Sequence, residues 1–266
     1  MYDPISDASI PNQLSFPDSY WANNRANQQQ YSPLEGDIET DVAIIGGGYT
    51  GLSAALHLSK DFGRKALVIE ANQPGWGCSG RNGGFVLPGT GRLSVNQLCQ
   101  KWGASTASAM YKDYLDSVNL VKNILEASPD RSNQPAKPGD EQDKNLTGLP
   151  CEYTQGGYLK LAHRPQLLAN LHAQAALLSG EYGDNIIALS ANDVKRDYLS
   201  GTGDPTNRSG KTGMPIYGGI YYPQAFGLNP WQLCQLLAAQ ACDAGAEIVG
   251  NTSVLKCERR GNQHYI

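Results

Sequence analysis

Charged residues are scarce in this chain. They make up 17% of its 266 residues, against roughly a quarter of an average soluble protein. The 21 basic and 25 acidic side chains leave a formal net charge of −4. With Lys and Arg few and scattered, there is no basic stripe to hold a nucleic-acid backbone, and no nucleic-acid partner is expected. Long apolar runs are missing as well. None approaches the ~18 residues of a membrane span, the mean hydropathy is −0.41, and no membrane partner is expected. The opening residues, MYDPISDASIPNQLSF, lack the basic and then apolar blocks of a secretion signal, which gives the expectation of a cytoplasmic protein. Paired cysteine motifs are absent: Cys78, Cys99, Cys151, Cys234, Cys242 and Cys257 are dispersed with no CxxC. Metal knuckles and dense disulfide frameworks need clustered spacing, so neither is indicated and no metal is expected. His57, His163, His172 and His264 stand singly, so no catalytic triad is visible.

Glycine, in contrast, is abundant. The 30 glycines show no G-X-Y period, which excludes collagen, and 40% hydrophobic residues can build a core. A chain of this size is near the point where one fold becomes two subdomains. Residues 1–36 are polar and carry Pro11, Pro17, Pro33 and Gln28-Gln29-Gln30, the composition of an extended arm. From residue 38 the pattern changes. Asp41–Ile45 is a short apolar run fit for a strand buried on both faces. Glycines 46 to 48 break it, and Tyr49 to Lys60 carries Leu52, Ala55 and Leu56 at helical spacing. Ala66–Glu70 reads as a second buried strand, which completes a βαβ unit.

Further on, residues 104–126 form an amphipathic helical pattern with Ala107, Tyr111, Tyr114, Val118, Val121 and Leu125 on one stripe. Residues 128–150 are polar, hold four prolines and read as a surface loop. A strand at Tyr158–Ala162, a helix from Pro165 to about Tyr182 and a shorter one near 192–199 follow. Residues 213–222 read as β, with Tyr217, Tyr221 and Tyr222. Asn229-Pro230 supplies a helix N-cap and a proline at the first helical position, and Gly245 supplies the stop. A strand at Glu247–Val249 and a hairpin of 253–258 with 263–266 complete the pattern. Because the last residues read as a strand of an unfinished sheet, the chain is expected to be the N-terminal part of a longer protein.

The chemistry lies in the glycine turns. Gly46-Gly47-Gly48-Tyr49-Thr50-Gly51 fits GxGxxG between a strand and a helix. Gly46 permits the tight turn, Gly48 lets a pyrophosphate approach the backbone, and Gly51 lets the helix sit close to the strand. The free N–H groups at the helix start point at the anion. Glu70, at the end of the second strand, stands where an acidic side chain accepts hydrogen bonds from ribose hydroxyls. A second cluster follows at Gly75-Trp76-Gly77-Cys78-Ser79-Gly80-Arg81-Asn82-Gly83-Gly84. A unit for a nicotinamide dinucleotide would pass directly into another helix here, so this loop suggests a cofactor that runs further across the protein.

The segments GGGYTGLSAALHL, IEA and GWGCSGRNGGF resemble the N-terminal half of the FAD-dependent D-amino-acid oxidase superfamily. Within it they are most similar to the amine-oxidising branch that contains gamma-glutamylputrescine oxidase. Ser19-Tyr20-Trp21, Pro33–Asp37, Gly227–Pro230, Ala246–Ile248 and Asn251–Val254 extend the resemblance over most of residues 19–258. The resemblance implies an α/β fold: a Rossmann-like FAD-binding domain with an inserted α+β substrate domain, truncated at its C-terminus. The arm would be residues 1–36, the incomplete FAD-binding domain 37–150 and 227–266, and part of the substrate domain 151–226. It further implies that Gly46, Gly47, Gly48 and Gly51, with Tyr49 and Thr50, hold the FAD pyrophosphate and that Glu70 binds the adenosine ribose. Ser79, Arg81, Asn82, Gly83 and Gly84 would line the stretch towards the flavin, and Val254 would meet adenine through its backbone. The implied activity is FAD-dependent oxidation of a CH–NH bond in a small amine or amino acid, with oxygen as acceptor. No catalytic residue is assigned. A non-catalytic nucleotide-binding fragment and an NAD(P)-linked dehydrogenase remain as alternatives.

Overall fold

The computed structural model describes residues 14–16, 18–21, 29–89, 91–128, 150–199 and 215–266. The expected loop at 128–150 lies almost wholly outside the described residues, as does the stretch 200–214. The chain divides into two compact units, one built from residues up to Gly84 and from Asn229 onward, the other from Phe85–Leu228.

In the first unit, β1 (Val42–Ile45), α1 (Tyr49–Phe62) and β2 (Ala66–Ile69) form the expected βαβ unit. β1 and β2 run parallel with Val42 opposite Ala66 and Ile45 opposite Ile69. β8 (Glu247–Val249) joins the other edge of β2, also parallel, with Leu67 opposite Glu247. β2, with a neighbour on each side, is buried along its whole length. β1 corrects an expectation: its residues alternate between half-buried and exposed, and Ile45 is 50% exposed. The cause is its place at the sheet edge, where only β2 pairs with it among the described residues. α1 ends at Gly63, whose φ of 59° lets its N–H turn back to the Ser59 carbonyl. α6 (Pro230–Asp243) packs against α1. Asn229 caps α6 as anticipated, accepting from the N–H groups of Trp231 and Gln232 at 3.1 Å each. The terminal hairpin is narrower than expected, β9 (Glu258–Arg260) with β10 (Gln263–Tyr265).

The second unit holds β3 (Phe85–Val86) paired with β7 (Phe226–Gly227), and the antiparallel sheet β4 (Tyr158–Ala162), β6 (Gly218–Tyr222), β5 (Ile187–Ser190). α2 (Val95–Trp102), α3 (Ala104–Glu126), α4 (Pro165–Glu181) and the short α5 (Ala191–Asp193), which continues into a π turn over Val194–Leu199, complete it. The predicted stripe of α3 is buried at Ala107, Tyr111, Val118 and Leu125 and half-buried at Tyr114 and Val121. Its core joins Val95, Tyr111, Leu171, Leu178, Ile220 and Tyr222. In that core the carboxylate of Asp184, 5% exposed, accepts from the Tyr111 hydroxyl and the Gln224 amide. Burial pushes its carboxyl above the usual range, opposed by hydrogen bonds from Tyr111 and the Asn185 backbone.

Candidate cofactor site

The site is assembled wholly within the first unit. β1 ends at Ile45, and Gly46 turns the chain with a φ of 101°, a conformation that costs a residue with a Cβ. Its N–H still bonds the Ile69 carbonyl at 2.8 Å, so the turn begins flush with the sheet. A methyl at Gly51 would stand 2.1 Å from the Gly46 carbonyl oxygen, which is why the helix can start so close to the strand only with glycine there. A methyl at Gly48 would come 2.8 Å from the Ser79 hydroxyl oxygen. Gly48 is also the N-cap of α1 and offers no capping side chain. Ser79 Oγ accepts from the Tyr49 N–H at 3.1 Å. The N–H groups of Thr50 and Gly51 have no partner among the described residues, leaving donors of the kind an anion takes at a helix N-terminus.

Glu70 follows β2 and faces this turn. One carboxylate oxygen accepts from the Gly47 N–H at 2.6 Å and the other from the Asn72 N–H at 2.9 Å. A carboxylate has about four lone-pair sites, so two remain for hydroxyl donors. The Glu70 backbone is fixed on both sides, with its N–H to the Val249 carbonyl at 3.0 Å and its carbonyl accepting from Thr252 at 2.9 Å. The donor set therefore fits a dinucleotide: unpartnered N–H groups for a pyrophosphate, and an acidic acceptor at the end of the neighbouring strand for a ribose.

The second glycine cluster comes back to the same helix start. After Gly75, whose N–H bonds the Gly47 carbonyl at 2.9 Å, the chain passes through a single 3₁₀ turn, Cys78–Gly80. The Asn82 amide closes the loop, donating to the Ser79 carbonyl at 2.9 Å and to the Tyr49 hydroxyl at 3.4 Å, while its oxygen accepts from the Gly84 N–H at 2.8 Å. Arg81 is exposed; its guanidinium lies 4.9 Å over the Trp76 ring and its Nε–H bonds the Gly77 carbonyl at 3.3 Å. Of the candidates read from sequence, hydrogen bonds link Gly46, Gly47, Tyr49, Glu70, Ser79, Asn82 and Gly84 into the turn or its closing loop. Gly48, Thr50 and Gly51 form the helix start itself. Gly83 is exposed, and Val254 is half-buried two residues beyond Thr252, without a direct bond to the others.

Sequence reasoning missed the residues that tie these pieces together. The Tyr49 hydroxyl donates to the Pro230 carbonyl at 3.0 Å, which joins the start of α1 to the start of α6. Asn72 is 1% exposed and supports the turn after β2. Nothing local announced either: Asn72 reads in sequence as an ordinary turn residue after the strand, and Tyr49 and Pro230 are 181 positions apart. His57 is half-buried on α1, with Nδ1 2.8 Å from Asp61 one turn away and Nε2 covered without a partner among the described residues, in keeping with a packed histidine. All six cysteines are free thiols, and no cluster of three or more metal-ligating side chains exists among the described residues. No helix of the described residues is long and apolar enough to cross a membrane.

Comparison with known proteins agrees with this geometry. The profile of the DAO family, described as FAD dependent oxidoreductase, matches residues 41–266. Gamma-glutamylputrescine oxidoreductase of Escherichia coli K12 is 28% identical over 222 residues, which is 83% of this chain and 47% of that protein. A probable oxidoreductase, OrdL, of Haemophilus influenzae is 24% identical over 89% of this chain and 47% of its own length. The chain thus spans about half the length of the curated relatives it matches. Among solved structures, glycine oxidase from Geobacillus kaustophilus superposes with a TM-score of 0.60 at 20% identity, over 85% of this chain and 50% of that one. L-Amino acid deaminase from Proteus myxofaciens gives 0.61 at 16% identity, over 90% and 44%. At such identities the superpositions speak to the fold alone.

Proposed function

Because the chain belongs to the DAO family of FAD-dependent oxidoreductases, we propose that it is the flavin-holding part of an enzyme that oxidises a small amine or amino acid at a CH–NH bond. The observation that carries this reading is the pairing of the α1 N-terminus, where the Thr50 and Gly51 N–H groups have no partner among the described residues, with Glu70, whose carboxylate keeps free acceptor sites beside it. Gly46, Gly47, Gly48 and Gly51 would bring backbone against the pyrophosphate, with the N–H groups of Thr50 and Gly51 donating to it. Glu70 would accept from the adenosine ribose. Ser79, Asn82, Gly83 and Gly84 would border the path towards the flavin, Arg81 would supply a cation near it, and the Val254 backbone would meet adenine. Bound FAD would supply the acceptor for a hydride leaving the carbon that bears the amine, with oxygen the final electron acceptor. The second glycine loop weighs against a nicotinamide dinucleotide, which needs no such extension.

The domain reading is part of the same proposal. Residues 37–150 with 227–266 are the expected FAD-binding domain and 151–226 the inserted α+β substrate domain. The compact units support the later boundary, near Leu228, but group α2 and α3 with the second unit, where Val95 and Tyr111 join its core, so the FAD-binding part would end at Gly84 and the inserted part begin at Phe85. The exposed residues of β1, which pairs only with β2 among the described residues, support a further strand beside it in the complete dinucleotide sheet, since β1 sits inside such sheets with partners on both edges. A cytoplasmic site of action completes the reading.

The test is the visible absorption spectrum of the purified chain, before and after FAD is added and again after desalting. Flavin bands that survive desalting are the expected result, and an amine panel with peroxide detection would follow. A colourless chain after desalting would remove autonomous flavin binding from this piece and leave the substrate question to a longer protein.

A further inference from the structure

The N-terminal arm is bonded to the cofactor loops at both ends of the site, although nothing in the βαβ motif requires it. At the Glu70 end, the Leu14 N–H donates to the Asn72 side-chain oxygen at 2.8 Å. Tyr31 pairs twice with the Gln73 amide, N–H to oxygen and carbonyl to amide, at 3.0 Å each. The Ser32 carbonyl accepts from Gly250 at 3.1 Å, and the Leu34 N–H bonds the Thr252 hydroxyl at 2.9 Å. Thr252 is the residue that bonds the Glu70 carbonyl. At the other end, the Trp76 indole donates to the Ser15 carbonyl at 3.0 Å, and the Trp21 indole donates to the Asn82 carbonyl at 2.9 Å. Asn82 holds Ser79, and Ser79 accepts from the first N–H of α1. A continuous relay therefore runs from Trp21 through Asn82 and Ser79 to the helix terminus.

The second loop needs such outside support. Between Gly75 and Phe85 it owns no regular structure beyond the 3₁₀ turn, and of its residues Gly77, Cys78, Arg81, Asn82 and Gly83 are exposed. Glycine loses more conformational freedom on ordering than any other residue, and this loop holds five of them. A ligand that must order the loop for itself loses affinity by the fraction of time the loop is formed beforehand. We propose that Trp21 and Trp76 are positioning residues, through which the arm holds the 75–84 loop in its cofactor-binding conformation before FAD arrives. This rests on the FAD reading above for its purpose, but the ordering of the loop does not.

The test compares the whole chain with Trp21→Phe and Trp76→Phe, which keep an aromatic ring, delete the N–H donor and trim the ring surface, a loss the Trp102→Phe control shares. Two readouts are taken: amide hydrogen exchange over residues 72–84 without FAD, and the FAD dissociation constant by titration of flavin fluorescence. Each lost bond is expected to speed exchange in the loop and to weaken FAD binding by about threefold to tenfold, with exchange in α4 unchanged. Trp102→Phe, in α2, serves as the control and should alter neither. Variants that exchange and bind like the parent chain would overturn the proposal. If the parent chain itself binds no FAD, the functional reading of this piece falls. The exchange comparison then still decides the arm's role, faster exchange in the variants supporting it and equal exchange overturning it.

Discussion

Gly46 and Gly75 each open a turn with a positive φ, 101° and 81°. Five residues later Gly51 and Gly80 repeat the same crowding, since a methyl on either would stand 2.1 Å from the carbonyl oxygen of the turn's opening glycine. The two turns diverge in what surrounds them. The first is clamped between β1 and the 14 residues of α1, so its geometry is fixed by a sheet ladder and a helix. The second has a three-residue 3₁₀ turn backed by Trp231 and Cys234 of α6 and is otherwise held by side chains: Ser79, Asn82, Trp76 and the arm. The same glycine interval thus reports the same backbone crowding in both places, but not the same rigidity. Rigidity comes from the regular structure on either side.

The sharpest way to break that comparison is to put the same methyl into both turns. Gly51→Ala should destabilise the chain by about 3 kcal/mol and abolish FAD retention, because neither β1 nor α1 can yield. Gly80→Ala should cost less, about 1 kcal/mol, because the Gly75 carbonyl that its methyl meets belongs to a loop with no strand or long helix to hold it and can turn aside. Denaturant midpoints at constant slope measure both, and equal losses would show that the second turn is as rigid as the first.

A smaller effect tests the link between the turns. Ser79→Ala removes the hydroxyl that accepts from Tyr49, at a cost of about 1 kcal/mol, but it also vacates the space a Gly48 methyl would need. Gly48→Ala should therefore be tolerated better in the Ser79→Ala background than alone. Strict additivity in that double-mutant cycle would mean that the two turns do not touch as described.

The smallest expected effect lies outside both turns and marks their boundary. Burial raises the Asp184 carboxyl in the folded state, so the fold favours its protonated form. The stability this gives is full below the ordinary carboxylate pKa and is lost as pH rises through the raised one. Asp184→Asn should become more stable relative to the parent as pH climbs from acid towards neutrality, while FAD affinity stays the same. A stability difference that is flat with pH would count against a raised carboxyl.

Much of the first unit is legible in the sequence. The strand, glycine turn, helix, strand order and the acidic residue closing β2 follow from local pattern, and so do the Asn229 cap and the stripe of α3. Other elements also carry a local signal. Ser94-Val95-Asn96-Gln97 is a capping box, with Ser94 Oγ accepting from the Gln97 N–H and the Gln97 side chain accepting from Ser94, and it starts α2. The Ile187–Ser190 run forms β5. The exposure of β1 was not legible, because a run of Val, Ala and Ile looks the same in the middle of a sheet as at its edge.

The sequence by itself determined where the chain turns and where an anion and a ribose could be met. Glycine placement and apolar periodicity act over a few residues, and hydrogen bonding along a helix or across its cap needs nothing more distant. Only the tertiary structure decided how those pieces are held. The bonds from Tyr49 to Pro230, from Leu34 to Thr252 and from Trp21 to Asn82 join residues 181, 218 and 61 positions apart. Partners so distant are chosen by the folded arrangement of strands and helices, because no local preference brings them within reach of each other.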